Sequence, residues 1–256
     1  MDKAGLIQDI YANYTAHNQD GMIEHMKFIE EKILPLYDKS PFMTINTCAQ
    51  LQKIRFVDYL YQECQTLAFR VPESLLTYGA IFCDLALVEY EFSQKLRVPD
   101  KGIKSANFAR YNYGGFLSNQ FGYDPHDPEG FDLLVAVEAC SMYVRNGKTD
   151  KPRRNTKMGP YLYDVNHLAL IFQVPIEQLV QMYATDFAVE DGVPEKEYDE
   201  VADKYIEKAM MILRTTYGKY GSYSMASKEL RDCKELTVRY HAFQDGLKDF
   251  SKQIGA

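Results

Sequence analysis

Residues 233–254 read CKELTVRYHAFQDGLKDFSKQI, and their spacing decides the fold class. Cys233, Leu236, Tyr240, Phe243, Leu247, Phe250 and Ile254 recur at alternating steps of three and four. That rhythm puts all seven on one face of an α-helix, sustained over roughly three heptads. The stripe predicts a long helix packed on its own domain; the other use of such a face is presentation to a neighbouring subunit.

The same periodicity extends through the rest of the chain. Residues 46–69 carry Leu51, Ile54, Val57 or Tyr59, Tyr61, Cys64, Leu67 and Ala68 without a single Pro or Gly, which predicts another helix. Residues 2–17 and 21–38 read as a short helical pair broken at Gly21 and ending near Pro41. Four Val-Pro steps, at 71–72, 98–99, 174–175 and 193–194, are each followed by an acidic residue within two positions. Proline suits a first helical turn and acidic side chains suit the positive end of the helix dipole, so most of these steps are expected to start helices. Alternating β-branched segments joined by tight glycine turns are missing. The expected fold is mainly α, an irregular bundle of about nine or ten helices with long aromatic and basic loops and little or no β.

Two segments interrupt the helical pattern. Residues 106–130, ANFARYNYGGFLSNQFGYDPHDPEG, are rich in rings, Asn and Gly, and read as a long loop ordered by contact with something else. Phe108, Tyr111, Tyr113, Phe116, Phe121 and Tyr123 would form an interaction surface there, since so many rings exposed together invite association. Tyr217, Tyr220 and Tyr223 repeat that chemistry in a shorter glycine-containing loop; the equal alternative is that both loops fold back onto the core. The second segment, 145–158, holds Arg145, Lys148, Lys151, Arg153, Arg154 and Lys157 against Asp150, a local charge of +5. It is opposed by residues 186–207, with nine acidic and two basic residues. These patches would pair within one molecule, pair head to tail between neighbours, or remain as solvated, unpaired charge runs. The chain divides into a helical body at 1–146, a basic linker or loop at 147–160 and a helical region at 161–256, with a single domain over 1–256 fitting equally well.

Composition excludes several classes. With 256 residues, 46% hydrophobic and 25% charged, the chain is neither a small stapled scaffold nor disordered. A net charge of -7 argues against coating nucleic acid over the whole surface. Cys48, Cys64, Cys83, Cys140 and Cys233 are scattered with no CxxC pair, so buried thiols in a reducing compartment are expected rather than a disulfide framework or zinc site. The start MDKAGLIQDIYANY lacks a signal-peptide core, and no window reaches the length of an uncharged membrane span. A cytoplasmic location, or one in an assembled particle such as a virion, follows as the expectation.

Chemical motifs are sparse. Asp124, His126, Asp127 and Glu129 could ligate a divalent metal, and His126-Asp127 resembles in two letters the dyad of HD-type metal phosphohydrolases. Asp127 as N-cap and Pro128 at the first position of a helix over 129–145 explain the same residues more simply. The GKT at 147–149 lacks the upstream glycine of a phosphate loop, since position 142 is Met142. Residues 165–183 resemble a helix-turn-helix unit, with Ile176, Leu179 and Val180 facing inward. The second helix offers Glu177, Gln178 and Gln181 but no Lys or Arg for base edges.

The leading expectation is a non-enzymatic α-helical structural or adaptor subunit of a larger oligomeric assembly, of the kind seen in virion or phage connectors and rings. Its partners would be protein subunits, as a homo-oligomer or in a hetero-assembly, with no cofactor, catalytic residue or membrane contact. The alternatives are a helix-turn-helix-like regulator, its basic loop meeting nucleic acid, and a metal-dependent helical hydrolase.

Overall fold

The opening helix is set by its cap. Asp2 Oδ1 and Oδ2 accept from the N–H groups of Ala4 and Gly5, both at 3.1 Å, filling two of the donors a helix start leaves open. The computed structural model describes residues 2–62, 64, 71–88, 96, 98, 100–121, 128–140 and 158–255. Helices α1 (Lys3–Ala16) and α2 (Asp20–Phe28) are followed by a π-turn at Ile29–Ile33 and by α3 (Leu34–Tyr37). Then come α4 (Thr47–Gln62), α5 (Glu73–Phe82), α6 (Lys101–Phe121) and α7 (Pro128–Cys140). The C-terminal half carries α8 (Gly159–Gln173), α9 (Ile176–Glu190), α10 (Tyr198–Tyr217), α11 (Lys228–Asp232) and α12 (Lys234–Gln253). No strand occurs among the described residues, and none of their helices is long and apolar enough to cross a membrane. The fold is mainly α.

Three local features depart from the sequence reading. The α1–α2 break falls at Asn18, whose φ of 54° is left-handed, while Gly21 lies inside α2. Asparagine tolerates that conformation better than most residues, so it does the work assigned to glycine. The π-turn precedes Pro35, and the Leu34 N–H reaches back five residues to the Ile29 carbonyl. A proline there removes one donor and crowds the carbonyl four residues earlier, which the wider turn relieves. At the Val-Pro steps ending in Pro72, Pro175 and Pro194 the proline sits one position outside the helical turn it precedes, while Pro99 lies outside the described residues. Pro72 and Pro175 are extended N-caps (ψ 139° and 147°). Their carbonyls accept from Leu76 and Leu179, while the missing N–H lies where no helical bond is needed.

The expected aromatic loop is the main correction. Residues 106–121 belong to α6. Its buried face is Gly102, Ser105, Ala106, Ala109, Tyr113 and Leu117, a helical stripe built mostly from small residues that let α6 approach α7 and the turn at Leu85–Leu87. Gly114 and Gly115 lie inside this helix, and a Cβ at either would meet nothing within 4 Å. Interior helical glycine costs about 0.5–1 kcal/mol against alanine. Gly115→Ala is therefore expected to raise the melting temperature by roughly 2–4 °C per kcal/mol gained, measurable by calorimetry.

Helix α4 lies at the centre, with eleven of its residues buried, and packs against α1, α5 and α8. Buried side chains from Leu6 to Leu247 form one continuous cluster, and α8 joins it through α4, α5 and α7. Residues 147–157, most of the expected linker, lie outside the described set. The α12 stripe turns inward, with Cys233, Leu236, Phe243 and Leu247 buried and Ile254 exposed at its end. Its neighbours are α8, α9 and α10, the packing its periodicity predicts.

Three buried aspartates fasten distant parts of the chain. Asp84 is ion-paired to Lys53 and, at 2.7 Å, to Lys101. Asp186 accepts from the backbone N–H groups of Met43 and Thr44 and from the Thr44 hydroxyl. Asp164 accepts from Tyr223 Oη at 2.9 Å and from the N–H groups of Ala226 and Ser227 at 2.8 Å each. Each joins elements whose own backbone ladders do not reach one another.

Candidate functional site

The rings expected to face a neighbour divide into two groups. Tyr113 is buried, donates to the Lys32 carbonyl at 3.1 Å and stacks on Phe82. Phe116 stacks on Phe28 with centroids 3.7 Å apart, and Phe121 stacks on His25 at 5.5 Å. Phe108 is half-buried beside Tyr113. Tyr217 and Tyr223 are buried against one another, 5.5 Å between centroids. These rings spend their apolar area inside the chain. Among the described rings of that expected surface, Tyr111 and Tyr220 alone are exposed, each at 92%, so the described rings do not form a contiguous outward patch. Tyr123 lies outside the described residues.

The tyrosine turn after α10 explains how one of its rings points out and another in. Ser222 and Tyr223 return N–H bonds of 2.9 Å to the carbonyls of Thr215 and Thr216. A Cβ on Gly221 would sit 2.3 Å from the Thr216 carbonyl oxygen, so only glycine permits this fold-back. It drives Tyr223 onto Asp164 and leaves Tyr220 at the apex.

The basic residues Arg145, Lys148, Lys151, Arg153, Arg154 and Lys157 lie outside the described residues, as do Asp124, His126, Asp127 and the side chain of Glu129. No group of three or more His, Cys, Asp or Glu suited to a metal ion occurs among the described residues. The helix-turn-helix candidate is the α8–α9 pair, joined by Val174-Pro175. Leu179 and Val180 are buried and Ile176 half-buried, while Glu177 and Gln181 are exposed. Its second helix packs along α10.

The acidic segment forms a ridge at the start of α10. Asp186 leaves it for the interior, but Asp191, Glu195, Glu197, Asp199, Glu200, Asp203 and Glu207 are all exposed. Tyr205, Ala209, Met210, Leu213 and Tyr217 take the opposite, buried face of the helix. Lysine neutralises little of this. Lys208 reaches Asp191 at 3.6 Å and Lys196 reaches Glu197 at 3.9 Å, while Lys204 lies over the Tyr205 ring. Acidic residues in the first turn complement the helix dipole, yet glutamates and aspartates this dense repel one another.

The interior acids are strongly perturbed. Burial pushes Asp164 up to about 7 against the pull of its three hydrogen bonds, and pushes Asp186 up to about 6 against those from Thr44 and Met43. Burial also disfavours charge on Asp84, but Lys101 and Lys53 outweigh it and hold that carboxyl below the usual range. His167 is pushed down to about 4 by burial. Perturbed groups mark candidate active sites when they line a cleft; Asp84, Asp164 and Asp186 instead have their oxygens taken up by the scaffold.

One polar site escapes sequence reading. Asp9 and Asn13 of α1, Arg55, Asp58, Tyr59 and Gln62 of α4, Gln173 of α8 and Arg239 of α12 line a cleft of about 460 Å³. Compared with known protein families, curated proteins and solved structures, the chain matches none.

Proposed function

We propose that this chain is a non-enzymatic α-helical subunit that joins copies of itself head to tail, the basic segment 145–158 of one copy meeting the acidic ridge of the next. The exposed ridge at the start of α10 carries this reading. Its seven carboxylates are offered to solvent with little local neutralisation, and the same chain holds a segment of six basic residues. Single exposed ion pairs contribute little, but opposed patches steer encounter and set register. Complementary patches give a heterologous contact, which closes into a ring or continues as a filament. A connector or ring component of a particle is one user of such a contact.

The nucleic-acid alternative draws on the same basic residues. Against it, α9 exposes Glu177 and Gln181 where base-reading donors would be needed, and it packs beside a surface that repels phosphates.

Charge exchange tests the reading. Reversing Glu195, Glu197, Asp199 and Glu200 to lysine is expected to abolish self-association in mass photometry. Reversing Lys151, Arg153 and Arg154 to glutamate should do the same, and mixing the two variants should restore assembly with the variants alternating, because each patch of one then meets an opposite patch of the other. Wild-type behaviour in either single variant would refute it.

A further inference from the structure

The cleft between α1, α4, α8 and α12 holds an acid that lacks a donor. Asp58 is 2% exposed. Its Oδ1 accepts from Tyr14 Oη at 2.7 Å, while Oδ2, also buried, has no donor in hydrogen-bond geometry, with the Asn13 amide and the Glu73 carboxyl beside the group. Directly behind it, at the start of α5, Glu73 repeats the arrangement. Oε2 accepts from Gln19 Nε2 at 2.9 Å and the buried Oε1 receives nothing. The two carboxyls are neighbours, and burial raises both above their ordinary values. Two buried carboxylates side by side repel, and one proton shared between them relieves that repulsion.

The other wall is cationic. Arg239 lies over the Tyr59 ring with its guanidinium carbon 4.4 Å from the centroid and donates to the Phe172 carbonyl at 2.9 Å. Arg55, on the turn of α4 before Asp58, donates to Gln52. A guanidinium has five N–H donors, so both keep capacity for an incoming carboxylate. Asn13, Gln62 and Gln173 add amides between these two poles. With the carboxyl pair holding one proton, the site carries opposite charges on separate walls rather than a single sign.

We infer that this cleft binds a free α-amino acid, its ammonium against Asp58 Oδ2 and its carboxylate on Arg55 and Arg239. The ammonium supplies the donor that Asp58 lacks and displaces the proton shared with Glu73, so binding releases a proton. The groups facing the pair and its cleft are Asp9, Asn13 and Tyr14 on α1, His17 just beyond it, Arg55, Tyr59 and Tyr61 on α4, and Arg239 on α12. No residue of α10 lines the cleft, so this inference stands apart from the proposed assembly contact.

Calorimetric titration of the full chain tests it, using each protein amino acid in turn, with butylamine and butyrate as probes that carry only one of the two charges. At least one amino acid should bind with a dissociation constant below about 1 mM, and both single-charge probes at least about tenfold more weakly. Titrations in buffers of different ionisation enthalpy should show about one proton released per ligand, retained in His17→Gln. Asp58→Asn and Arg239→Gln should each weaken binding about tenfold or more. Should Asp58→Asn not fold, Arg55→Gln on the half-exposed wall replaces it. No binding by any amino acid at about 10 mM, binding as tight by butylamine or butyrate alone, or affinity unchanged in Arg239→Gln would each overturn the inference.

Discussion

Replacing Lys53 with methionine is expected to lower the unfolding free energy by about 3 kcal/mol. Lys53 is buried on α4, pairs with the fully desolvated Asp84 and also donates to the Ala80 carbonyl at 3.3 Å. Without it, Asp84 keeps Lys101, partly exposed, and a long 3.4 Å contact from Gln50. An under-compensated buried carboxylate is costly because water no longer solvates it. The midpoint of thermal unfolding should fall by roughly 6–12 °C. Adding Asp84→Leu should recover much of the loss, since the pair matters for mutual compensation rather than for net stability. An unchanged midpoint in Lys53→Met would show that Lys101 alone carries Asp84. The sign with pH follows from the depressed carboxyl. Its stabilisation is complete above the unfolded value of about 4 and is lost only as pH falls through the lower folded value.

Asp164→Asn is expected to cost about 2–3 kcal/mol, because its amide presents N–H to the Ser227 N–H where a carboxylate oxygen now accepts. The stretch at 223–227 would loosen from α8, exposing Tyr223. The pH dependence is more specific than the magnitude. Asp164 is raised to about 7 in the folded chain, against about 3.9 unfolded. Between those values the folded state holds a proton that the unfolded state lacks, so this group makes the protein more stable as pH falls from about 7 toward 4. Asparagine cannot take that proton. The gap in urea midpoint between wild type and Asp164→Asn should therefore widen from about pH 8 to about pH 5, by the equivalent of roughly 2 kcal/mol. A gap that stays constant or narrows would mean Asp164 remains ionised inside.

What was legible in the chain follows from how each element signals itself. The α12 stripe and the Val-Pro steps at Pro72, Pro175 and Pro194 use large apolar residues and a rigid φ, and both carry through to the structure. Helix α6 hides because Ala106, Ala109, Ser105 and Gly102 do the packing while its rings and glycines suggest a loop. Phe116, Phe121 and Tyr113 then fill space beside the stripe, against Phe28, His25 and Phe82, and so are lost as an outward surface. The buried aspartates had a usable signal. Asp58 in RFVDYLY, Asp84 in IFCDLAL and Asp164 in YLYDVNH each interrupt a run of large apolar residues, a position where a buried acid signals a partner inside the fold or a site left for one. What satisfies it comes from far along the chain, as with Asp186 and Thr44, and pattern alone does not reach that far. The cleft is hidden for the same reason, since its walls run from Asp9 to Arg239.

Sedimentation velocity of the full chain across a salt series tests the central claim most directly. Screening shortens electrostatic reach from about 30 Å at 0.01 M to about 8 Å at 0.15 M salt. A contact between the basic segment and the α10 ridge predicts oligomers at low salt that dissociate progressively as salt rises, with no oligomer when the ridge glutamates and aspartates are reversed. A single monomeric species at every salt and protein concentration would contradict it.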